Sequence, residues 1–107
     1  YEDALRTGEP VFLYLYLKNC NYCKEFNHKY EKIKQHYKKQ YRFVSVDAES
    51  PYGMLLTEDF MLGYVPYVAL SDAKRQLLKI VPPKCIMETE CLNKELKTFL
   101  KPNQDRR

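Results

Sequence analysis

Residues 11–17, Val-Phe-Leu-Tyr-Leu-Tyr-Leu, form an unbroken apolar run with no polar position to mark a solvent face. A strand-length run rich in aromatic residues predicts a strand buried on both sides of a sheet. Beyond it the period changes. From Cys23 the apolar positions fall at Phe26, Tyr30, Ile33 and Tyr37, and steps of three and four predict an amphipathic helix with Cys23 on its buried stripe. The remaining pattern predicts a short helix over 1–7, stopped by Gly8 and Pro10, and a strand over 42–47. Ser50-Pro51 opens a helix with Met54, Leu55 and Leu56 as apolar members, ending near Gly63. Strands over 64–70 and 76–81 are joined by a polar turn at 71–74, and Pro82-Pro83 stops the second. A closing helix over 88–100 packs Leu92, Leu96, Phe99 and Leu100. The order is α-β-α-β-α-β-β-α, which is best buried as one mixed sheet with helices on both faces.

With 107 residues, the chain has room for one hydrophobic core, and a single domain is expected over 1–101, followed by a polar tail at 102–107. The net charge of +4 comes from 18 basic and 14 acidic residues. These are mixed along most of the sequence, which argues against a nucleic-acid module, whose positive charge clusters on one face. The most basic stretch, 24–42, also holds Glu25 and Glu31 and reads as the solvated face of a helix. No run approaches the roughly 18 apolar residues of a membrane-spanning helix.

The candidate chemistry lies in Cys20-Asn21-Tyr22-Cys23, at the junction of the buried strand and the amphipathic helix. Unpaired N–H groups and the helix dipole favour negative charge in a first turn, so a thiolate at Cys20 is stabilised there. Lys18 and Lys24 flank the motif and add positive potential. Cys23 lies one turn deeper on the apolar face, shielded but within disulfide reach. An accessible attacking thiolate beside a buried resolving thiol is the arrangement that thiol–disulfide exchange through a mixed disulfide requires. A bare C-x-x-C also serves metal sites; the strand before it and the helix after it favour redox use.

The element order, the Cys-x-x-Cys-Lys motif after 11–17, and Gly63-Tyr64-Val65-Pro66 together resemble the thioredoxin-like superfamily over roughly 1–100. The resemblance implies an α/β three-layer sandwich around a four-stranded mixed sheet, with Cys20 as nucleophile and Cys23 as resolving thiol. It also implies a cis Val65-Pro66 bond facing the active pair; without the resemblance, Pro66 would read as an ordinary edge-strand proline. Val65 and Pro66, with Asn21 and Tyr22 from the motif, are then the expected substrate-binding residues, the backbone at Val65 pairing with an extended substrate segment. The sequence departs from thioredoxins proper at four places. Asn19 stands where they carry a tryptophan, Asn21-Tyr22 replaces Gly-Pro, Tyr14 lies where they bury an aspartate, and His28 takes the place of a helix-kinking proline. The x-Tyr dipeptide is similar to that of glutaredoxins and some periplasmic isomerases.

Cys85 and Cys91 flank residues 86–90. A structural disulfide is expected there, with free buried thiols or a second redox pair as alternatives; a staple would favour an extracytoplasmic compartment. A four-cysteine zinc site is disfavoured by the long separation of Cys23 from Cys85 and the spacing of the second pair. His28 and His36 read as surface residues. Asp47, Glu49, Glu58 and Asp59 form no recognisable acid–base pair. The expected function is a thiol–disulfide oxidoreductase, reductase or isomerase, acting on protein disulfides as a monomer, without cofactor or metal, and reset by a redox partner. A disulfide-donating oxidant and a non-catalytic binding module of the same fold are the alternatives.

Overall fold

The computed structural model describes residues 1–61 and 63–101; the tail at 102–107 lies outside the described residues. The elements run α1 (Glu2–Arg6), β1 (Val11–Tyr16), α2 (Asn21–Tyr37), β2 (Arg42–Asp47), α3 (Pro51–Asp59), β3 (Tyr67–Asp72), β4 (Leu77–Ile80), α4 (Pro83–Ile86) and α5 (Thr89–Phe99). The strands form one sheet in the order β2-β1-β3-β4. β1 pairs parallel with β2 and antiparallel with β3, and β4 pairs antiparallel with β3.

β1 lacks alternation because it is central and covered on both faces, and its own period of two divides the core. Phe12 and Tyr14 point into a cluster with Phe26, Tyr30 and Ile33 of α2 and Leu92, Leu96 and Phe99 of α5. Leu13 and Leu15 point the other way, into a smaller cluster with Leu56 of α3, Tyr67 and Ala69. Much of the larger core is aromatic. Tyr14 packs edge-on against Phe26 and lies 4.9 Å from Tyr30, and Phe12 stacks on Phe43. Buried tyrosines need partners for their hydroxyls, and these have them: Tyr41 donates to the Leu96 carbonyl at 2.8 Å, and Tyr37 donates to Asn93 Oδ1 at 3.3 Å.

Three boundaries differ from the sequence pattern, each for a local reason. β3 begins at Tyr67 rather than at 64, because Pro66 has no N–H to give a ladder; the Val65–Pro66 peptide bond is cis. The polar residues Ser71 and Asp72 are strand rather than turn, and both are buried. Asp72 accepts from the Arg75 side chain at 2.7 Å, and Arg75 in turn donates to the Phe99 and Lys101 carbonyls at the end of α5. The chain reverses at 73–76, with Gln76 at φ 56°. Pro83 does more than stop a strand: it starts α4, a short helix that its fixed φ favours at the first turn.

α3 also ends early, at Asp59, with Met61 at φ 52°. Only Leu56 of its expected apolar trio is buried; Met54 and Leu55 are each 60% exposed. Gly53 is the close-approach point of this helix. A Cβ there would lie 1.9 Å from the Asp47 carbonyl oxygen, so the hydrogen side chain is what lets α3 press on the end of β2. Ser50 caps the helix, accepting from the Gly53 N–H at 2.9 Å.

Candidate functional site

Cys20 is the N-cap of α2. Its backbone is extended (φ −101°, ψ 118°), and its sulfur accepts a hydrogen bond from the Cys23 N–H at 3.0 Å. This is the role serine or aspartate usually plays at a helix start. A sulfur held against a first-turn N–H gains most when it is anionic, since charge-assisted bonds are the stronger ones. Cys20 is half-buried and Cys23 is 1% exposed; both are free thiols. Burial, followed by its hydrogen bond with Cys20, pushes the Cys23 thiol up to about 11. The pair thus has one approachable sulfur on a capping position and one withdrawn into the core.

The Val65 carbonyl lies 4.0 Å from the Cys20 sulfur. That carbonyl belongs to a segment 45 residues away in the chain, and the Val65–Pro66 bond after it is cis. Pro66 is buried, Val65 is half-buried, Asn21 is exposed and Tyr22 is 65% exposed. Tyr22, Val65 and Pro66 share one groove of about 370 Å³, whose other walls come from Tyr64 and from Pro83, Lys84 and Met87. Asn21 is not among its lining residues.

Beneath the pair, the Tyr14 hydroxyl donates to Asn27 Oδ1 at 2.8 Å and also lies 3.3 Å from the Cys23 carbonyl. Burial, reinforced by the two neighbouring cysteines, raises the Tyr14 hydroxyl well above the usual range. It therefore stays protonated, and acts as a hydrogen-bond donor rather than an anionic base. Lys18 faces Asp47 at 3.9 Å, so part of its charge is directed to that carboxylate rather than to Cys20.

Cys85 and Cys91 are disulfide-bonded, with Cα atoms 5.1 Å apart. The bond joins α4 to the first turn of α5, and Cys85 is buried. Because Pro83, Lys84 and Met87 line the groove at Cys20, this bond braces one of its walls. The Lys29 ammonium donates to the Met87 carbonyl and ties the same wall to α2. His28 and His36 are exposed. Among the described residues no group of three His, Cys, Asp or Glu side chains converges, and no helix is long and apolar enough to cross a membrane.

Several residues at the site are not legible as such in the sequence. Tyr64 adjoins Val65-Pro66 and could have been included with it. Asn27 lies one turn beyond Cys23 and is readable only once Tyr14 is known to reach it. Lys84 and Met87 carry no local signal, since α4 brings them to the site.

A family model described as Thioredoxin-like matches residues 1–73. The Thioredoxin-like protein HCF164, chloroplastic, of Arabidopsis thaliana is 29% identical over 72 residues, covering 67% of this chain and 28% of that protein. The chain thus spans little more than a quarter of the length of that relative. Among solved structures, mitochondrial thioredoxin 3 of Saccharomyces cerevisiae superposes with a TM-score of 0.75 at 19% identity, covering 90% of this chain and 84% of the other. A thioredoxin from Thermus thermophilus gives 0.72 at 18% identity, covering 100% and 89%.

Proposed function

Because the chain belongs to the thioredoxin-like family, we propose that it is a thiol–disulfide oxidoreductase acting on protein disulfides through Cys20 and Cys23. The observation that carries this reading is the Cys20 sulfur at the start of α2, held by the Cys23 N–H and facing the Val65 carbonyl.

In the proposed reaction the Cys20 thiolate attacks one sulfur of a substrate disulfide. The substrate S–S bond breaks, a mixed disulfide forms, and the departing thiolate takes up a proton. The substrate backbone beside its cystine pairs with the chain at Val65, as an added strand would. Cys23 then loses its proton and attacks the Cys20 sulfur. The second substrate thiolate leaves, and a Cys20–Cys23 disulfide remains, two electrons having passed to the substrate. A dithiol partner resets the pair by the same exchange in reverse, and no cofactor takes part.

Cys20→Ser should abolish reduction of a protein disulfide such as those of insulin, whereas Cys23→Ser should accumulate the mixed disulfide. A Cys20→Ser protein that still turns over would overturn the assignment. The reading taken is reductase or isomerase use, in which the reduced pair gives two electrons to the substrate. A reduction potential near the roughly −270 mV of thioredoxin supports it, and one near the roughly −120 mV of strong oxidants makes the chain a disulfide donor instead. The Cys85–Cys91 bond supports work in an extracytoplasmic, disulfide-permissive compartment.

A further inference from the structure

The charge of the chain is unevenly placed. Residues 43–73 contain five carboxylates and no lysine or arginine, although the whole chain has a net charge of +4. Two of the five are engaged, Asp47 with Lys18 and Asp72 with Arg75. Glu49, Glu58 and Asp59 are exposed, and among the described residues no cation pairs with them.

These free carboxylates border apolar surface. Ala48, Met54 and Leu55, with Thr57 and Glu58, line a hollow of about 400 Å³. It shares Ala48 and Thr57 with a second hollow of about 450 Å³ that reaches Glu49, Leu17 and Val65. That one meets the groove at Tyr22 through Tyr64 and Val65. One continuous track therefore crosses the site, with Lys84 at one end, Val65 opposite Cys20 in the middle, and Glu49 and Glu58 at the other end. Single exposed apolar residues are ordinary, but adjacent ones continuous with a reactive groove mark a contact surface.

We infer that α3 and the loop before it form a docking shelf for the substrate protein. An apolar substrate side chain seats against Met54 and Leu55, and neighbouring lysine or arginine residues are held by Glu49 and Glu58, while the substrate cystine lies at Cys20. Charge complementarity selects the occupant: carboxylates without cations beside apolar surface favour a basic and apolar segment and repel an acidic one. This inference rests on the oxidoreductase reading and adds to it a class of substrate.

The test uses cystine-loop peptides that share one core and differ only in an arm. The arm is leucine–lysine-rich, leucine–glutamate-rich or glycine–serine, placed before or after the cystine in separate peptides. The reduced protein is mixed with each, and kcat/KM is taken from single-turnover loss of the peptide disulfide. The neutral hydroxyethyl disulfide is run alongside. Exposed ion pairs are individually weak and the leucines are common to both arms, so two attractive pairs in place of two repulsive ones should give the lysine arm about a tenfold advantage over the glutamate arm. Raising salt to about 0.5 M should shrink that ratio.

In Glu49→Gln/Glu58→Gln the ratio should fall toward one. In Met54→Ser/Leu55→Ser the gain of the leucine–lysine arm over the glycine–serine arm should shrink to its ionic part. All four side chains are exposed, and a ratio within one variant does not depend on the fraction of folded protein. Equal rates for the lysine and glutamate arms in both placements, or ratios unchanged in the variants, would overturn the shelf while reduction of hydroxyethyl disulfide leaves the oxidoreductase reading standing. Loss of hydroxyethyl disulfide reduction itself would instead remove the reading on which the shelf depends.

Discussion

Closure of the mixed disulfide by Cys23 should be strongly pH-dependent, and the size of the effect follows from its burial. Cys23 is 1% exposed, and its thiol is raised from the ordinary 9.0 to about 11. A rise of two units leaves about a hundredfold less thiolate at neutral pH than an unperturbed cysteine would have. The thiolate that does form is more basic and so more nucleophilic; a Brønsted coefficient of about 0.4–0.5 returns roughly sixfold to tenfold. Depletion wins, slowing closure by at most about tenfold to fifteenfold relative to an unperturbed thiol. Once Cys20 is bound to substrate its thiol no longer acts on Cys23, but the burial, which is the larger cause, remains. The assay is a pH jump. A mixed disulfide of Cys20 with thionitrobenzoate is formed near pH 5, where closure is slow, and thionitrobenzoate release is followed after rapid mixing to higher pH. The rate should climb about tenfold per unit from about pH 7 to 9. A profile that levels off below about pH 8, or is flat, would refute the argument from burial.

Three further outcomes follow from the same structure. Tyr14→Phe removes the buried hydroxyl that donates to Asn27 Oδ1 beneath the pair; urea unfolding should show a loss of about 1 kcal/mol. Gly53→Ala gains about 1 kcal/mol of helix propensity but puts a methyl 1.9 Å from the Asp47 carbonyl oxygen. Backbone cannot yield there cheaply, so urea unfolding should show a net loss of about 2 kcal/mol or more, and a neutral or stabilised variant contradicts this. Cys85→Ala/Cys91→Ala opens a loop with a sequence separation of 6; loop-closure entropy predicts a loss of about 2 kcal/mol, read as a Tm lower by about 8–15 °C.

The parts of the fold readable from sequence were those set by local period. The run at 11–17 announced a central strand because both faces of β1 are covered, and steps of three and four placed Cys23 on the buried stripe of α2. What escaped depends on partners distant in the chain. Ser71 and Asp72 look like turn residues until Tyr1 and Arg75 are there to satisfy them inside a strand. Met54 and Leu55 look like core until Gly53 and Leu56 are seen to take the inner face of α3. At the site, Cys20 and Cys23 declared themselves by their spacing. The groove wall at Lys84 and Met87 did not, because no pattern in residues 83–87 says that a helix as short as α4 will bring them to the start of α2.

The groove takes Tyr22 from beside one cysteine pair and Lys84 and Met87 from beside the other, and the surroundings of the two pairs ask different things of them. In the proposed cycle the Cys20–Cys23 pair must open and close while the wall at Pro83, Lys84 and Met87 keeps its shape. That wall is held by Cys85–Cys91. A reductant able to open both bonds would therefore loosen the groove while recharging it. Each pair has one buried and one half-buried cysteine, and the structure separates them by constraint. Cys20 is half-exposed at a helix start, where an incoming thiolate can reach it and where the departing Cys20 thiolate is received by the Cys23 N–H. Cys85 is 1% exposed, and its partner is held on the first turn of the next helix by a backbone that also hydrogen-bonds the Glu88 N–H to the Cys85 carbonyl and the Leu92 N–H to the Glu88 carbonyl. A thiolate freed at Cys91 stays within reach of Cys85, so reclosure competes with any second reduction step. Short tethering speeds reclosure, which in the proposed cycle favours an intact wall.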